Sequence, residues 1–299
     1  MAAETALFRD MNIRLTTGLS LLPDKPEETS DNTLRALWHA AANTPVSVQK
    51  AGALPLPALD AGGVERLQTL IAQRVAGIPL AHLTGRQHFM GLELLVGKEA
   101  LIPRLETELL GRAALDVLQS LATGRDELIV VDVCTGSGNL ALALASHVPQ
   151  ARVFGADLSD EAVALAQRNA RHLGLQERVE FRAGDLLAPF DEPAFHDRLA
   201  LLVCNPPYIS SKKVDNMPSE IIGHEPRLAF DGGPLGIRIV ERLTREAPRF
   251  LRAGGFLIFE VGLGQGPALM RRLAANKSYL SLKSFADTAG EIRVILAGR

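Results

Sequence analysis

The residues best suited to chemistry lie in LLVCNPPYIS, Leu201 to Ser210. An apolar run, LALLVC, stops at Asn205, and Pro206, Pro207 and Tyr208 follow. Two consecutive prolines withhold two N–H donors and fix two φ angles. What they leave is acceptors: the side-chain oxygen of Asn205 and the carbonyl of Pro206. Two fixed acceptors suit a planar –NH2 group, which has two hydrogens to donate. Tyr208 adds an aromatic face on which a flat amide or ring can stack. A Pro-Pro pair alone makes no more than a rigid turn, so its place in the fold decides whether this chemistry is available.

A second group of residues suits a nucleoside. In DVCTGSGNLA, Gly136 and Gly138 stand between an apolar strand pattern and a helical one. Glycine there permits backbone angles other residues resist and lets a ligand approach the main chain. The helix that follows presents free N–H groups and a positive dipole end. Asp157 comes nineteen residues after Gly138 and ends the next strand pattern, where a carboxylate can accept from both ribose hydroxyls. Asp185 ends the third, with Leu186 beside it, where an adenine edge could lie. Gly136-Ser137-Gly138-Asn139-Leu140-Ala141 fits the G-x-G-x-x-G/A dinucleotide fingerprint, so this loop by itself leaves NAD open.

The elements that position these residues have two textures. Up to about residue 80 the pattern is helical: SDNTLRALWHAAAN and VERLQTLIAQRVAG carry apolar residues at helical spacing, separated by the breaker-rich LPLPALDAGG. Short apolar pieces around Gly85, Gly91 and Gly97 predict a small hairpin. From about residue 125, strand and helix alternate through ELIVVDV, ARVFGAD, RVEFRAGD, RLALLVCN and FLIFEVG, and YLSLKSFAD and EIRVILAG close the chain as strands. This predicts an α/β fold, a mostly parallel seven-stranded sheet covered on both faces. Ligands bind such sheets beyond the carboxyl ends of the strands, where the strand order reverses. The first and fourth strands flank that point, so Asn205 is expected beside the glycine loop.

Bulk properties exclude several classes. At 47% hydrophobic, 22% charged and net charge −2, the 299 residues are ordinary globular material without the basic stripe of a dedicated nucleic-acid binder. Cys134 and Cys204 are the only cysteines and form neither a disulfide framework nor a metal spacing. No histidine pair has ligand spacing, and no metal is expected. The start, MAAETALFRDMNIRL, lacks a signal-peptide pattern, and no apolar run reaches membrane-spanning length. The expectation is a cytoplasmic protein with neither membrane nor direct nucleic-acid contact.

DVCTGSG, GADLS, NPPY and HEPRLAFDGGPLGI resemble class I S-adenosylmethionine-dependent methyltransferases of the N-PP-[YF] type. GIPLAHLTGRQHF and LIPRLETELL narrow the resemblance to protein-glutamine methyltransferases of the HemK/PrmC type, over roughly residue 30 to the C-terminus. The resemblance implies a Rossmann-like domain at 113–299, a helical substrate-recognition domain at 1–80 and a hairpin connector at 81–112. It implies that Cys134, Thr135, Gly136, Ser137 and Gly138 wrap the methionine part of S-adenosyl-L-methionine. Asp157, with Leu158 next to it, would hold the ribose, and Asp185 and Leu186 would flank the adenine. Arg104, Glu106 and Glu108 would lie near the cofactor's amino-acid end or brace that loop. Asn205 would contact both cofactor and substrate. Asn205, Pro206 and Tyr208 would be catalytic, and with Pro207 they would hold a glutamine amide.

Three positions depart from the family pattern: Cys134 for Gly, Leu105 for Pro and Leu186 for an aromatic residue. A sister group acting on a ribosomal protein carries CTGSG. The expected substrate is the Gly-Gly-Gln loop of a peptide-chain release factor. The alternatives are a ribosomal-protein glutamine or a small amide, guanidine or amine. An adenine in nucleic acid and a non-catalytic nucleoside-binding module stand behind these. Glu260 reads as a local hydrogen-bond partner, Glu225-Pro226 as shaping a lid, and His82, His88 and His224 as structural.

Overall fold

The computed structural model describes residues 2–19, 25–122, 127–217, 221 and 223–299. They fall into two compact units. The first is Met1–Lys98, Ile102–Leu105 and Pro218–His224, and the second is Glu99–Leu101, Glu106–Met217 and Glu225–Arg299.

The first unit holds helices α1 (Ala2–Gly18), α2 (Ser30–Ala41), α3 (Val48–Ala53), α4 (Ala61–Val75) and α5 (Leu80–Thr84). Hairpin β1 (Arg86–Phe89) and β2 (Leu92–Leu95) follows. Its core is Leu15, Leu34, Leu37, Trp38, Leu67 and Ile71, and the Trp38 indole donates to the Pro57 carbonyl at 2.8 Å. The α4 helix starts three residues before the expected Val64, because Asp60 caps it by accepting from the Gly63 amide at 2.6 Å. In the hairpin turn Met90 and Gly91 both take positive φ, which matches the twist of two-residue loops.

The second unit is a seven-stranded sheet of β3 (Leu128–Val133), β4 (Ala151–Asp157), β5 (Val179–Ala183), β6 (Leu199–Cys204), β7 (Leu251–Glu260), β8 (Ser281–Ala286) and β9 (Ile292–Gly298). Its order is β5-β4-β3-β6-β7-β9-β8. Neighbours from β5 through β7 run parallel, and β9 is antiparallel to both β7 and β8. The helices are α6 (Glu108–Leu121), α7 (Asn139–His147), α8 (Asp160–His172), the short α9 (Ser211–Val214), α10 (Arg238–Glu246) and α11 (Gly266–Ala274). The strand order reverses between β3 and β6, which pair with Val133 opposite Cys204. The loops after these two strands, glycine loop and N-P-P-Y, therefore emerge side by side.

The expected seven strands are all present. Strand β7 begins at Leu251 rather than Phe256, and its pairing with β6 shifts register between Leu199 and Leu201. A Cβ on Gly255 would come within 2.5 Å of the Leu199 carbonyl, so this irregular stretch needs glycine. Among the described residues no helix is long and apolar enough to cross a membrane.

Candidate active site

At the end of β3 the chain makes a sharp turn into α7. Cys134, Gly136 and Gly138 have φ of 58°, 55° and 82°, all in the left-handed region. Glycine is indispensable at 138, where a Cβ would meet Phe181 at 2.8 Å and Ala166 at 3.1 Å. The turn is tied down from below. Asp132, fully buried in β3, accepts from the Thr135 hydroxyl at 2.6 Å and from the Ala141 amide at 3.2 Å. Burial pushes its pKa up to about 7 against the pull of those two bonds.

Asp157, half-buried at the end of β4, faces the same turn. One carboxylate oxygen accepts from the Gly136 amide at 2.8 Å and the other from the Ser159 amide at 3.0 Å. Burial raises its pKa too, and the backbone bonds oppose the rise. Leu158 beside it is 58% exposed, an apolar surface at the mouth. Ser137 is buried, and its hydroxyl has no hydrogen-bond partner among the described residues. A cradle of glycines, a carboxylate with lone pairs left over and a spare hydroxyl form a donor set that fits a nucleoside with an amino-acid tail. Asp185, after β5, is exposed and paired with Arg242, while Leu186 is buried at φ 51°.

The acceptor side is built around Asn205. Its Nδ2 donates to the Thr107 hydroxyl at 3.1 Å, so Oδ1 is the end of the carboxamide left to accept. The Tyr208 hydroxyl donates to Glu260 Oε1 at 2.9 Å and lies 3.3 Å from Glu106 Oε1. Glu260 is 2% exposed. Its pKa is raised to about 7 by burial and by Glu106, while the Thr107 and Tyr208 hydroxyls and Arg293 oppose the rise. Arg293, from β9, lies 3.3 Å from Glu106 and 3.6 Å from Glu260. Burial and the two carboxylates push the Tyr208 phenol well above its usual range.

The N-P-P-Y backbone is braced by the segment after it. Ile209 donates to Phe230 at 3.0 Å, Gly232 to Ile209 at 2.9 Å and Ser211 to Gly233 at 3.0 Å. Gln265 Nε2 donates to the Tyr208 carbonyl at 3.0 Å and the Gly236 carbonyl at 3.3 Å. A Cβ on Gly232 would sit 2.4 Å from the Pro207 carbonyl, so the two loops are in backbone contact.

The second unit thus brings together Cys134 to Gly138, Asp157 with Leu158, Glu106, and Asn205 to Tyr208. Arg104 belongs to the first unit. Cys204 is buried beside Cys134, and burial drives its thiol pKa well up, so it is an inert apolar filler. Among the described residues no group of three or more His, Cys, Asp or Glu could hold a metal ion. Sequence reasoning passed over Thr107, Asp132, Gln265 and Arg293. Two of these carried a signal, an aspartate inside the apolar run IVVDV and an arginine inside IRVIL.

A parallel sheet with one reversed strand, a glycine cradle and an acceptor-lined N-P-P-Y loop at its switch point define a Rossmann-like methyltransferase. Residues 110–241 match the methyltransferase small domain family. The chain is 41% identical to the release factor glutamine methyltransferase of Moorella thermoacetica, over 78% of this chain and 80% of that one. It is 37% identical to the protein of that name from Gloeobacter violaceus, over 78% and 79% of the two chains. The chain belongs to the release factor glutamine methyltransferase family. The fold is also that of the N-terminal domain of human METTL16, solved in complex with SAH, at 13% identity and a TM-score of 0.54 over 93% of this chain and 98% of that one.

Proposed function

We propose that the protein transfers a methyl group from S-adenosyl-L-methionine to the side-chain amide nitrogen of a glutamine, in the Gly-Gly-Gln loop of a peptide-chain release factor, leaving S-adenosyl-L-homocysteine. The carrying observation is the Asn205 carboxamide. With Nδ2 engaged by Thr107 it leaves Oδ1 to accept, and with the carbonyl of the adjoining residue Pro206 it supplies two acceptors for the two hydrogens of an amide.

The cofactor supplies an already electrophilic methyl on a sulfonium, so the chain's task is placement. Residues Cys134 to Gly138 are assigned to its methionine part. Asp157 is assigned to the ribose hydroxyls, since each carboxylate oxygen keeps a lone pair beyond the amide it holds. Leu158, Asp185 and Leu186 are assigned to the adenine, and Glu106 braces Tyr208 through the site's acidic side. An amide nitrogen is a poor nucleophile because its lone pair is delocalised into the carbonyl. Holding it in line with the methyl carbon can supply about 7–11 kcal/mol of barrier reduction. Asn205 Oδ1 and the Pro206 carbonyl, accepting from both N–H groups, stabilise positive charge as it develops on nitrogen. The helical unit is assigned to gripping the folded release factor.

Incubating the protein with S-adenosylmethionine and purified release factor, followed by peptide mass analysis, tests this. A methyl on the Gly-Gly-Gln glutamine, absent when that glutamine is alanine, is the expected result. Transfer to another acceptor with none there would overturn the substrate and keep the chemistry.

A further inference from the structure

Thr107 stands at the N-cap of α6, yet its side chain makes no capping bond. A threonine there ordinarily accepts from an amide of the first turn and stabilises the helix start. Here the hydroxyl, on a residue only 2% exposed, turns into the acceptor site instead. It accepts from Asn205 Nδ2 at 3.1 Å and bonds to the buried carboxylate of Glu260. Glu260 is in turn gripped by the Tyr208 hydroxyl at 2.9 Å, from the loop after β6, and approached by Arg293 at 3.6 Å, from β9. Arg293 is itself fixed, with Nε donating to the Val261 carbonyl at 3.1 Å.

The direction of these bonds has a consequence. Above about pH 7 the Glu260 carboxylate is ionised and only accepts, so the Thr107 proton points at it. The same hydroxyl then has only lone pairs to show Asn205. A carboxamide oxygen facing those lone pairs would be repelled, and the –NH2 end is attracted. We propose that Thr107, oriented by Glu260, is a positioning residue that fixes the flip of the Asn205 carboxamide, so that Oδ1 rather than Nδ2 meets the substrate amide. The proposal rests on the reading of Asn205 as the acceptor clamp. With the flip reversed, two donors would face each other and the substrate amide would not seat.

The test uses Thr107→Val, which keeps the shape and removes the hydroxyl, and Thr107→Ser, which keeps the hydroxyl. At pH 8.5 with release factor as substrate, Thr107→Val is expected to lower kcat about tenfold. Calorimetry should find its affinity for S-adenosylmethionine unchanged, and Thr107→Ser should stay within about twofold of wild type. In an Asn205→Ala background Thr107→Val should add nothing. Because the hydroxyl does not cap α6, the valine variant should melt close to wild type, and Thr107→Ala serves as a second hydroxyl-free variant if it does not fold. NMR supplies a readout apart from turnover. The Asn205 Nδ2 protons, assigned by their loss in Asn205→Ala, should exchange faster with solvent in Thr107→Val and not in Thr107→Ser. Wild-type kcat in Thr107→Val, equal losses in Val and Ser, additive losses with Asn205→Ala, or unchanged Nδ2 exchange would each overturn the proposal. If wild-type protein leaves the release factor unmethylated, the function reading fails, while the NMR comparison still decides the flip.

Discussion

Replacing Gly232 by alanine isolates the rigidity of the N-P-P-Y loop from its chemistry. Gly232 does not have a positive φ, so alanine brings no backbone strain of its own, only a methyl group. That Cβ would lie 2.4 Å from the Pro207 carbonyl oxygen and 2.9 Å from the backbone of Gly236. Ordinary contact begins at 3.4 Å, so the Pro207 carbonyl must retreat by about 1 Å, or the 231–236 segment must back away. Retreat of that segment breaks the Gly232–Ile209 and Ser211–Gly233 bonds, at 2.9 and 3.0 Å, that hold the loop from behind. Either way the unit from Asn205 to Tyr208 moves by an amount that costs about a hundredfold in rate, roughly 2.7 kcal/mol of barrier. Single-turnover transfer of a labelled methyl group to release factor measures this directly, with calorimetry on S-adenosylmethionine beside it. The expected result is a hundredfold slower transfer at near-normal cofactor affinity. Gly174→Ala is the control. It adds the same methyl at φ 70° in open space after α8, so it should lower stability by about 1–2 kcal/mol and leave transfer alone. Wild-type transfer by Gly232→Ala would refute the claim that the brace positions the acceptor residues.

Other expectations concern the two carboxylates of the cofactor side and Asn205 itself. Asn205→Ala should bind S-adenosylmethionine normally and lose about 10²–10³ in kcat, read by the same transfer assay. Asp157→Ala abandons the Gly136 and Ser159 amides along with the proposed ribose contact, so calorimetry should show cofactor affinity down about 10–100-fold. Asp132 makes stability depend on pH with a definite sign. Its carboxyl titrates at 3.8 unfolded and about 7 folded, so the folded state holds the extra proton between those values. Its contribution is complete below about pH 4 and is lost as pH rises through 7, on the order of 4 kcal/mol. In urea unfolding, Asp132→Asn should therefore gain on wild type by that order between pH 4 and pH 8, and a constant difference would refute it.

The sheet was legible because its strands are apolar runs cut by glycine and acidic residues, and because only the switch-point topology places β3 beside β6. The stretch Asp132 to Gly138 carries its own turn chemistry, so its cradle could be read locally. Helix α6 was readable from Leu110, Ala113, Ala114 and Leu118, which are buried at helical spacing. What could not be read is the tertiary pairing around Asn205. Thr107 sits between two glutamates, Glu106 and Glu108, and sequence position favours a cap there. Only the fold turns its hydroxyl toward a residue 98 positions away. Glu260 reads as an ordinary strand end until Tyr208 arrives from the loop after β6 and Arg293 from β9.

These long-range contacts change the account of why the N-P-P-Y loop is stiff. Two prolines fix two φ angles and withhold two donors. They cannot set the rotation of the Asn205 side chain, and they cannot hold Tyr208. Both tasks fall to Glu260, which ends β7 next to β6 and receives hydroxyl bonds on behalf of both residues. Its charge also matters to the reaction. A buried carboxylate behind a chain of hydroxyl and carboxamide polarises that chain toward the substrate, since bonds in series strengthen one another. On the proposed reading Asn205 Oδ1 is thereby a better acceptor as the amide nitrogen turns positive, without any proton leaving the substrate for Glu260. A general base would have to reach the nitrogen, and Glu260 is enclosed by Thr107, Tyr208 and Arg293. On the proposed reading Glu260, ionised above about pH 7, acts on the acceptor amide through its field, and the methylated amide would shed its own proton once the methyl is in place.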